Sequence, residues 1–158
     1  MKQKQSLPLT GINVIELATV VAAPTVGRML AAYGANVIKI ETPPYGDLLR
    51  AMSKGHQLPA MDYNNPLFDV FNSGKKTISI NLKSEKGMEA FYKLLGKADI
   101  FISNIRIKSL VNMGLEYDTL KEKYPRLILA GNIRDGIGMA DRVKQGRTIA
   151  EKLISNRL

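Results

Sequence analysis

Two charged side chains at the end of an apolar run could form part of a ligand site. In Asn36–Glu41 (NVIKIE), Lys39 and Glu41 are two residues apart, so in a β-strand both side chains lie on the same face of the sheet. Ligands of open α/β proteins bind outside the carboxyl ends of the strands. The spacing leaves two interpretations open: a pair near the margin of a sheet, exposed or mutually paired, or part of a ligand site.

A second basic segment, Asn72–Lys76 (NSGKK), has the composition of a turn in which Gly74 adopts a positive φ. Here too, two interpretations remain open. Either both lysines are solvated on the turn, or Lys75 lies near a phosphate. Asn104 follows another apolar run and could either contact a ligand or cap the next turn.

Composition excludes several kinds of chemistry. The 158 residues contain no cysteine and one histidine, His56, so the sequence offers no thiolate nucleophile and no cluster of histidine and cysteine metal ligands. No nucleophile elbow accompanies His56, which we interpret as a surface residue. The glycine patterns of dinucleotide and P-loop sites are absent, and Asp135–Gly138 (DGIG) lacks the third glycine. We therefore expect no metal and no permanently bound cofactor.

The net charge of +9 favours an anionic ligand. Nucleic acid is the weaker interpretation, because the sequence has no basic block of five residues and no tryptophan. No apolar run is long enough to predict a membrane span, and the basic N-terminus lacks the apolar core of a signal peptide. We expect a cytoplasmic protein without nucleic-acid or membrane partners.

The elements that position these side chains alternate between strand and helix. Ile12–Leu17 and Asn36–Glu41 predict the first two strands. An apolar stripe with helical spacing lies between them and is expected to face the core: Val26, Met29, Leu30 and Tyr33.

The alternation continues to residue 130. Three further strands are predicted at Lys76–Leu82, Asp99–Ser103 and Leu127–Ala130. Ser84 is the predicted N-cap of a helix with a second apolar stripe: Met88, Phe91, Tyr92 and Leu95. Short helices are expected at about 109–113 and 117–123. This order predicts one open α/β domain with a mostly parallel sheet and flanking helices.

The predicted strand ends give the candidate positions for a ligand. They are Thr19–Pro24, then Lys39, Glu41 and Thr42–Gly46, then Asn81 and Lys83, and finally Asn104–Arg106. Two segments interrupt the alternation. Residues 42–67 predict a long loop that is either functional or disordered, with a helix starting near Arg50. Residues 131–158 predict a polar tail without a sixth strand.

Several longer motifs resemble the family III CoA-transferases, also called the CaiB/BaiF or formyl-CoA transferase family. The resemblance begins with PLTGINVIEL, a small-small-Pro turn and GANVIKIETPPYGD within residues 8–50. It continues in Phe71–Lys83, Ala98–Asn104, Met113–Tyr117 and Pro125–Ala130. The motifs ELATVVAAP and NSGKK, and the loop at Pro59–Asp62, are most similar to the (R)-2-hydroxyacyl-CoA branch of the family.

The resemblance implies a CoA-binding, Rossmann-like domain in residues 1–130, which is the N-terminal part of the family's large domain, and a divergent tail in residues 131–158. It further implies transfer of CoA between an acyl-CoA and a small carboxylic acid, a 2-hydroxy acid in this branch. CoA is then a substrate rather than a cofactor, and the protein forms a homodimer.

The family's CoA-contacting positions fall on seven residues: Thr19, Val20, Val21, Thr42, Lys75, Asn104 and Ile105. The resemblance places Lys75 near the phosphates of CoA. Thr42 stands where the family often has arginine, and Ile105 stands where it has phenylalanine, which lowers the expected affinity.

The family's nucleophile is an aspartate that forms an acyl anhydride and then an aspartyl-CoA thioester. Neither Asp135 nor Asp141 stands in the family's motif, so we assign no catalytic residue. We expect a truncated N-terminal fragment that is inactive alone. The alternative is a non-catalytic CoA-binding or regulatory module that pairs with a full-length transferase.

Overall fold

The computed structural model describes residues 6–55, 65–131 and 144–151, which contain one parallel sheet and its flanking helices. In chain order the elements are β1 (Asn13–Leu17), α1 (Ala22–Ala32), β2 (Asn36–Glu41), α2 (Leu48–Gly55), α3 (Pro66–Asn72), β3 (Lys76–Ser79), α4 (Glu85–Leu95), β4 (Ile100–Ser103), α5 (Ile107–Asn112), α6 (Tyr117–Lys123) and β5 (Ile128–Gly131). Residues 144–151 form a further helix, α7.

The five strands are arranged in the order β3-β2-β1-β4-β5, and every neighbouring pair is parallel. The predicted α/β fold is therefore confirmed. The chain winds outward from β1 in one direction and then from β4 in the other, so the connections diverge between these two strands. This divergence opens a crevice between the loops that follow β1 and β4.

One face of the sheet packs against α4, α5 and α6. The α4 stripe is confirmed: Phe91 and Leu95 are buried, while Met88 and Tyr92 pack at the edge of the same cluster. The ring of Phe91 meets that of Phe101 edge-on, with centroids 5.8 Å apart. Ser84 caps α4 as predicted, because its hydroxyl accepts from the Gly87 N–H.

The predicted core face of α1 is wrong for three of its four residues. Val26, Met29 and Tyr33 are each about half exposed, whereas Leu30 packs against the core. The buried face consists instead of Ala23, Pro24 and Gly27. Because these residues are small, the helix backbone can approach the sheet closely. A search for large apolar side chains at helical spacing does not detect such a face.

The segment predicted as one long loop contains two helices. The predicted start near Arg50 corresponds to α2, and Asn65 caps α3 by accepting from the Phe68 N–H. His56 and Pro59–Asp62 lie outside the described residues. So do Asp135, Gly138 and Asp141 of the predicted tail; among its described residues, Gly131 ends β5 and 144–151 are helical.

Within the described residues, no helix is both long enough and apolar enough to span a membrane.

The packing of α1 gives a direct test of its orientation. A Cβ added at Gly27 would lie 1.9 Å from Glu16 Oε2, so Gly27→Ala should destabilise the fold by about 1–3 kcal/mol, although alanine favours helices. Met29→Ala, at a residue that is 53% exposed, should change the unfolding free energy by less than about 0.5 kcal/mol. Urea unfolding measures both values. A larger loss for Met29→Ala would show that the originally predicted stripe faces the sheet.

Candidate ligand site at the carboxyl edge of the sheet

A cavity of about 400 Å³ lies at the carboxyl ends of β1, β2 and β3. Its walls come from Leu17–Thr19, Ile40–Asp47 and Asn81–Lys83, and it is completed by Ile105 and Met113. Loops that leave the same edge of a parallel sheet converge there, which is the usual ligand position in this architecture. The cavity is therefore the candidate site.

Lys39 lies beneath this cavity and is completely buried. Its Nζ is 3.0 Å from Glu16 Oε1, 2.8 Å from Asp47 Oδ2 and 2.7 Å from the Ala18 carbonyl oxygen. The interpretation of Lys39 and Glu41 as a surface pair is thus wrong: both are buried, and they have separate partners. The Lys39 ammonium joins β1, β2 and the loop after β2.

Lys75 provides a second buried ammonium. Its Nζ is 2.8 Å from Glu16 Oε2, 2.8 Å from the Pro24 carbonyl oxygen and 2.9 Å from Asn72 Oδ1. Burial lowers the pKa of Lys75, and the negative charge of Glu16 offsets part of that effect. The two oxygens of Glu16 therefore each bind one lysine.

The predicted turn at Gly74 is confirmed by its φ of +81°. The interpretation of both following lysines as solvated is wrong for Lys75, whose side chain is fully buried. Lys76 is exposed and donates to Asn36 Oδ1.

Glu41 and Arg50 form a further ion pair, at the cavity rim. The Arg50 guanidinium donates to both oxygens of Glu41, at 2.8 and 2.7 Å, and its Cζ lies 3.7 Å from the centre of the Phe68 ring. Burial raises the pKa of Glu41, but hydrogen bonds from Arg50 and from the Asp47 N–H outweigh burial and hold that pKa below its ordinary value. The pair fastens α2 and α3 to the end of β2.

The loop after β1 is held in an unusual conformation. Val20 has a φ of +67°, which is strained for a β-branched residue. Its N–H donates to Asp47 Oδ1, which also accepts from the Leu49 N–H. Strain of this kind concentrates at functional sites, where the surrounding contacts maintain it. Val21 follows as the N-cap residue of α1 and is 43% exposed.

Asn104 joins this loop to the end of β4. Its Oδ1 accepts from the Thr19 N–H at 3.0 Å, and its Nδ2 donates to the Thr19 carbonyl oxygen at 2.8 Å. The two hydrogen bonds form the Thr19–Asn104 bridge across the crevice between β1 and β4.

The structure brings most of the predicted site residues to this edge. Thr19, Thr42 and Ile105 line the cavity, and Asn104 is bonded to Thr19. Lys75 is set apart, because its ammonium lies in the buried network with three partners. The Lys75 side chain is not part of the cavity wall.

The cavity is also lined by residues that are not among the seven predicted CoA-contacting positions. Asn81, Leu82 and Lys83 line it, and Asn81 and Lys83 are among the predicted strand-end positions. Their position at the end of a strand is a signal that could have included them in the predicted site, because the carboxyl ends of all strands in a parallel sheet lie at the same edge. Pro43–Gly46 form the outer wall, where Tyr45 is 86% exposed.

The chemistry of the cavity favours anion binding over proton transfer. Among the described lining residues Lys83 is the one cation, and it is exposed. The lining carboxylates, Glu41 and Asp47, are held by Arg50 and Lys39. No group of three metal-ligating side chains occurs in the part of the chain that the structure describes.

Comparison with known proteins identifies close relatives. The model of "CoA-transferase family III" matches residues 9–133. The chain is 48% identical over 122 residues to an (R)-2-hydroxy-4-methylpentanoate CoA-transferase of Clostridioides difficile, and 49% identical over 121 residues to a cinnamoyl-CoA:phenyllactate CoA-transferase of Clostridium sporogenes. Each alignment covers 77% of this chain but only 30% and 29%, respectively, of the relative.

The fold agrees with this similarity. A crystal structure of a CAIB/BAIF family protein from Brucella suis superposes with a TM-score of 0.72 and 36% sequence identity. The match covers 80% of this chain and 33% of that protein. The chain therefore spans about a third of the relatives that it matches.

The buried network predicts a large effect of removing Lys39. Lys39→Met leaves Glu16 and Asp47 without their shared cation, and should cost about 3–5 kcal/mol of unfolding free energy. Lys93→Met is the matched control, because the Lys93–Glu89 pair is exposed and should contribute little. Equal effects of the two substitutions in chemical denaturation would refute a structural role for the network.

The lowered pKa of Glu41 predicts a pH dependence of stability. Because the folded-state pKa lies below the ordinary value of 4.5, the Glu41–Arg50 pair stabilises the fold above that value, and its contribution is lost as pH falls through the folded-state pKa. Glu41→Gln should be less stable than wild type at pH 7, and the two stability curves should converge in acid. Thermal melts from pH 7 to 3 measure this, with the exposed Glu122→Gln as control. Parallel curves for Glu41→Gln and wild type would contradict the assignment.

Proposed function

The chain belongs to CoA-transferase family III, and we propose that its cavity at the carboxyl edge of the sheet binds the CoA portion of an acyl-CoA. The observation that carries the proposal is the position of the cavity: loops within the family-matched residues 9–133 enclose it, and Lys83 supplies a cation on its wall. CoA carries phosphate groups, for which an exposed ammonium is a suitable partner.

The proposed contacts involve the strand-end loops. Thr19, Thr42 and Ile105 contact the ligand from the cavity wall. Val20 and Val21 present the strained loop after β1, and Asn104 holds that loop in place. Lys75, the remaining predicted position, acts indirectly. It holds Glu16 in place, and Glu16 in turn positions the Lys39 ammonium beneath the loop.

The proposed reaction class is transfer of CoA between an acyl-CoA and a carboxylic acid, in particular a 2-hydroxy acid. The names of the two relatives support this choice, because 2-hydroxy-4-methylpentanoate and phenyllactate are both 2-hydroxy acids. A cytoplasmic location and a homodimer belong to the same proposal.

We propose that this chain alone binds CoA without turnover. A family nucleophile must be a carboxylate free to attack an acyl carbon. The two carboxylates among the described residues of the cavity wall are engaged: Glu41 with Arg50 and Asp47 with Lys39, Val20 and Leu49. A buried ion pair of this kind is costly to open, so neither is available as a nucleophile.

A second candidate is a CoA-binding module that pairs with a full-length transferase. The observation that favours it is the outward face of α1, where Val26, Met29 and Tyr33 are about half exposed. Side chains of this kind gathered on one helix suit contact with another protein. Co-purification of a full-length transferase, lost on Met29→Glu, would support this candidate.

Titration calorimetry with CoA tests the proposed function. Lys83→Ala should weaken CoA binding by about tenfold, since one charge-assisted contact is removed, and the loss should shrink at high salt. Lys97→Ala removes an exposed cation that does not line the cavity and serves as the control. Equal affinity of Lys83→Ala and wild type would place CoA elsewhere.

An assay of CoA transfer from 4-methylpentanoyl-CoA to 2-hydroxy-4-methylpentanoate separates binding from catalysis. CoA binding without detectable transfer is the expected result. Turnover by the purified chain would overturn the proposal that this chain alone binds CoA without catalysis.

A further inference from the structure

Val20 lies at a strained point of the loop after β1. Among the described residues it is the one non-glycine residue with a positive φ, at +67°. A β-branched side chain makes this conformation unfavourable, so contacts from the surrounding structure must maintain it. Thr19, the residue before Val20, lines the cavity. The conformation of Val20 therefore sets the course of the loop along the cavity wall.

One contact that maintains this conformation comes from Asp47. Its Oδ1 accepts from the Val20 N–H at 3.1 Å and from the Leu49 N–H at 3.0 Å. Asp47 is itself buried and fixed by groups other than Val20. Its Oδ2 is 2.8 Å from Lys39 Nζ, and its N–H donates to Glu41 Oε2 at 2.8 Å. Asp47 is thus the fixed member of the pair, and Val20 is the member that it holds.

Other side chains hold the loop up to Thr19. The Ala18 carbonyl oxygen accepts from Lys39 Nζ at 2.7 Å, and the Thr19–Asn104 bridge uses both the N–H and the carbonyl group of Thr19. These contacts do not involve Val20, whose N–H bonds to Asp47. Loss of the Asp47 carboxylate would therefore leave Thr19 anchored and let Val20 relax to a negative φ.

We propose that Asp47 is a positioning residue for CoA, which holds Val20 in the left-handed conformation before the ligand arrives and so gives the loop after β1 its binding shape. The inference rests on the proposed binding of CoA in the cavity. The Asp47 carboxylate is already engaged by Val20, Leu49 and Lys39, so it acts through Val20 and not by contact with the ligand. A loop that already has its bound shape loses little freedom on binding, which raises affinity.

The strain at Val20 distinguishes this role from a purely structural one. Asp47 also balances the charge of Lys39, so a loss of stability on its removal would fit either role. Glycine adopts a positive φ without a steric penalty. Val20→Gly therefore removes the force that displaces the loop when Asp47 is lost, and it should partly rescue the binding of CoA.

Titration calorimetry with CoA on four proteins tests the proposal: wild type, Asp47→Ala, Val20→Gly and the double variant. Asp47→Ala should weaken CoA binding by about tenfold or more when residue 20 is valine, but only about two- to threefold when it is glycine. Because the losses are compared within each background, any contact of the Val20 side chain with CoA cancels. Equal losses in the two backgrounds would overturn the proposal.

Phe91→Leu is the control for a general loss of stability. Phe91 is buried in the core beneath α4 and does not line the cavity, so this variant should be less stable and still bind CoA with wild-type affinity. All titrations are made well below the melting temperature of each protein. A loss of affinity in Phe91→Leu as large as that in Asp47→Ala would contradict a specific role for Asp47.

Hydrogen exchange tests the Asp47–Val20 contact without any substitution, and so does not require Asp47→Ala to fold. In ligand-free wild type the Val20 amide should exchange at least about a hundredfold more slowly than an exposed loop amide, because its N–H is hydrogen-bonded. Exchange at the rate of an unstructured loop would overturn the proposal, whether or not CoA binds.

A failure of the proposed function is distinguishable from a failure of this inference. If wild type does not bind CoA, the proposed function fails, and the melting temperatures of the same four proteins decide whether Asp47 holds a strained Val20. Relief of strain offsets part of the loss caused by Asp47→Ala when residue 20 is valine but not when it is glycine. The melting temperature should therefore fall further in the glycine background, and equal falls would refute the role of Asp47.

Discussion

The buried ammonium of Lys39 is the interaction on which the rest of the structure depends. Moving an ammonium and two carboxylates out of water costs several kcal/mol per ion, and only close partners on all sides can offset that cost. Glu16, Asp47 and the Ala18 carbonyl oxygen supply those partners from β1, from the loop after β2 and from the loop after β1. The ion pair therefore requires the strands and the loops to be placed together.

The buried ion pair also fixes the loops at the carboxyl edge of the sheet, where the candidate site lies. Asp47 uses one oxygen for Lys39 and the other for the N–H of Val20, so the strained loop after β1 is fixed by the group that balances the buried charge. The Thr19–Asn104 bridge then fixes the loop from the other side. A loop held at both ends loses little freedom on binding, which favours affinity. Gly27 completes the arrangement, since any side chain there would collide with Glu16.

Local pattern predicted the elements well where local forces determine them. The NVIKIE strand and the α4 stripe with its Ser84 cap occur as expected, because alternation, helical spacing and capping act within a few residues. The α1 stripe was misplaced for a physical reason. The side of α1 that meets the sheet lies over buried charges and needs small residues, so its larger apolar residues point outward.

From the sequence alone, the α/β class, the strand-end positions of a ligand site and the family resemblance could be obtained, because periodicity and motifs are properties of neighbouring residues. The partners of the charged residues could not be obtained from the sequence. Lys75 meets Glu16 across 59 positions of the chain, and Thr19 meets Asn104 across 85. Only the tertiary structure decided that Lys75 is buried in the network while Lys83 faces the cavity, since burial and ion pairing depend on which distant segments are brought into contact.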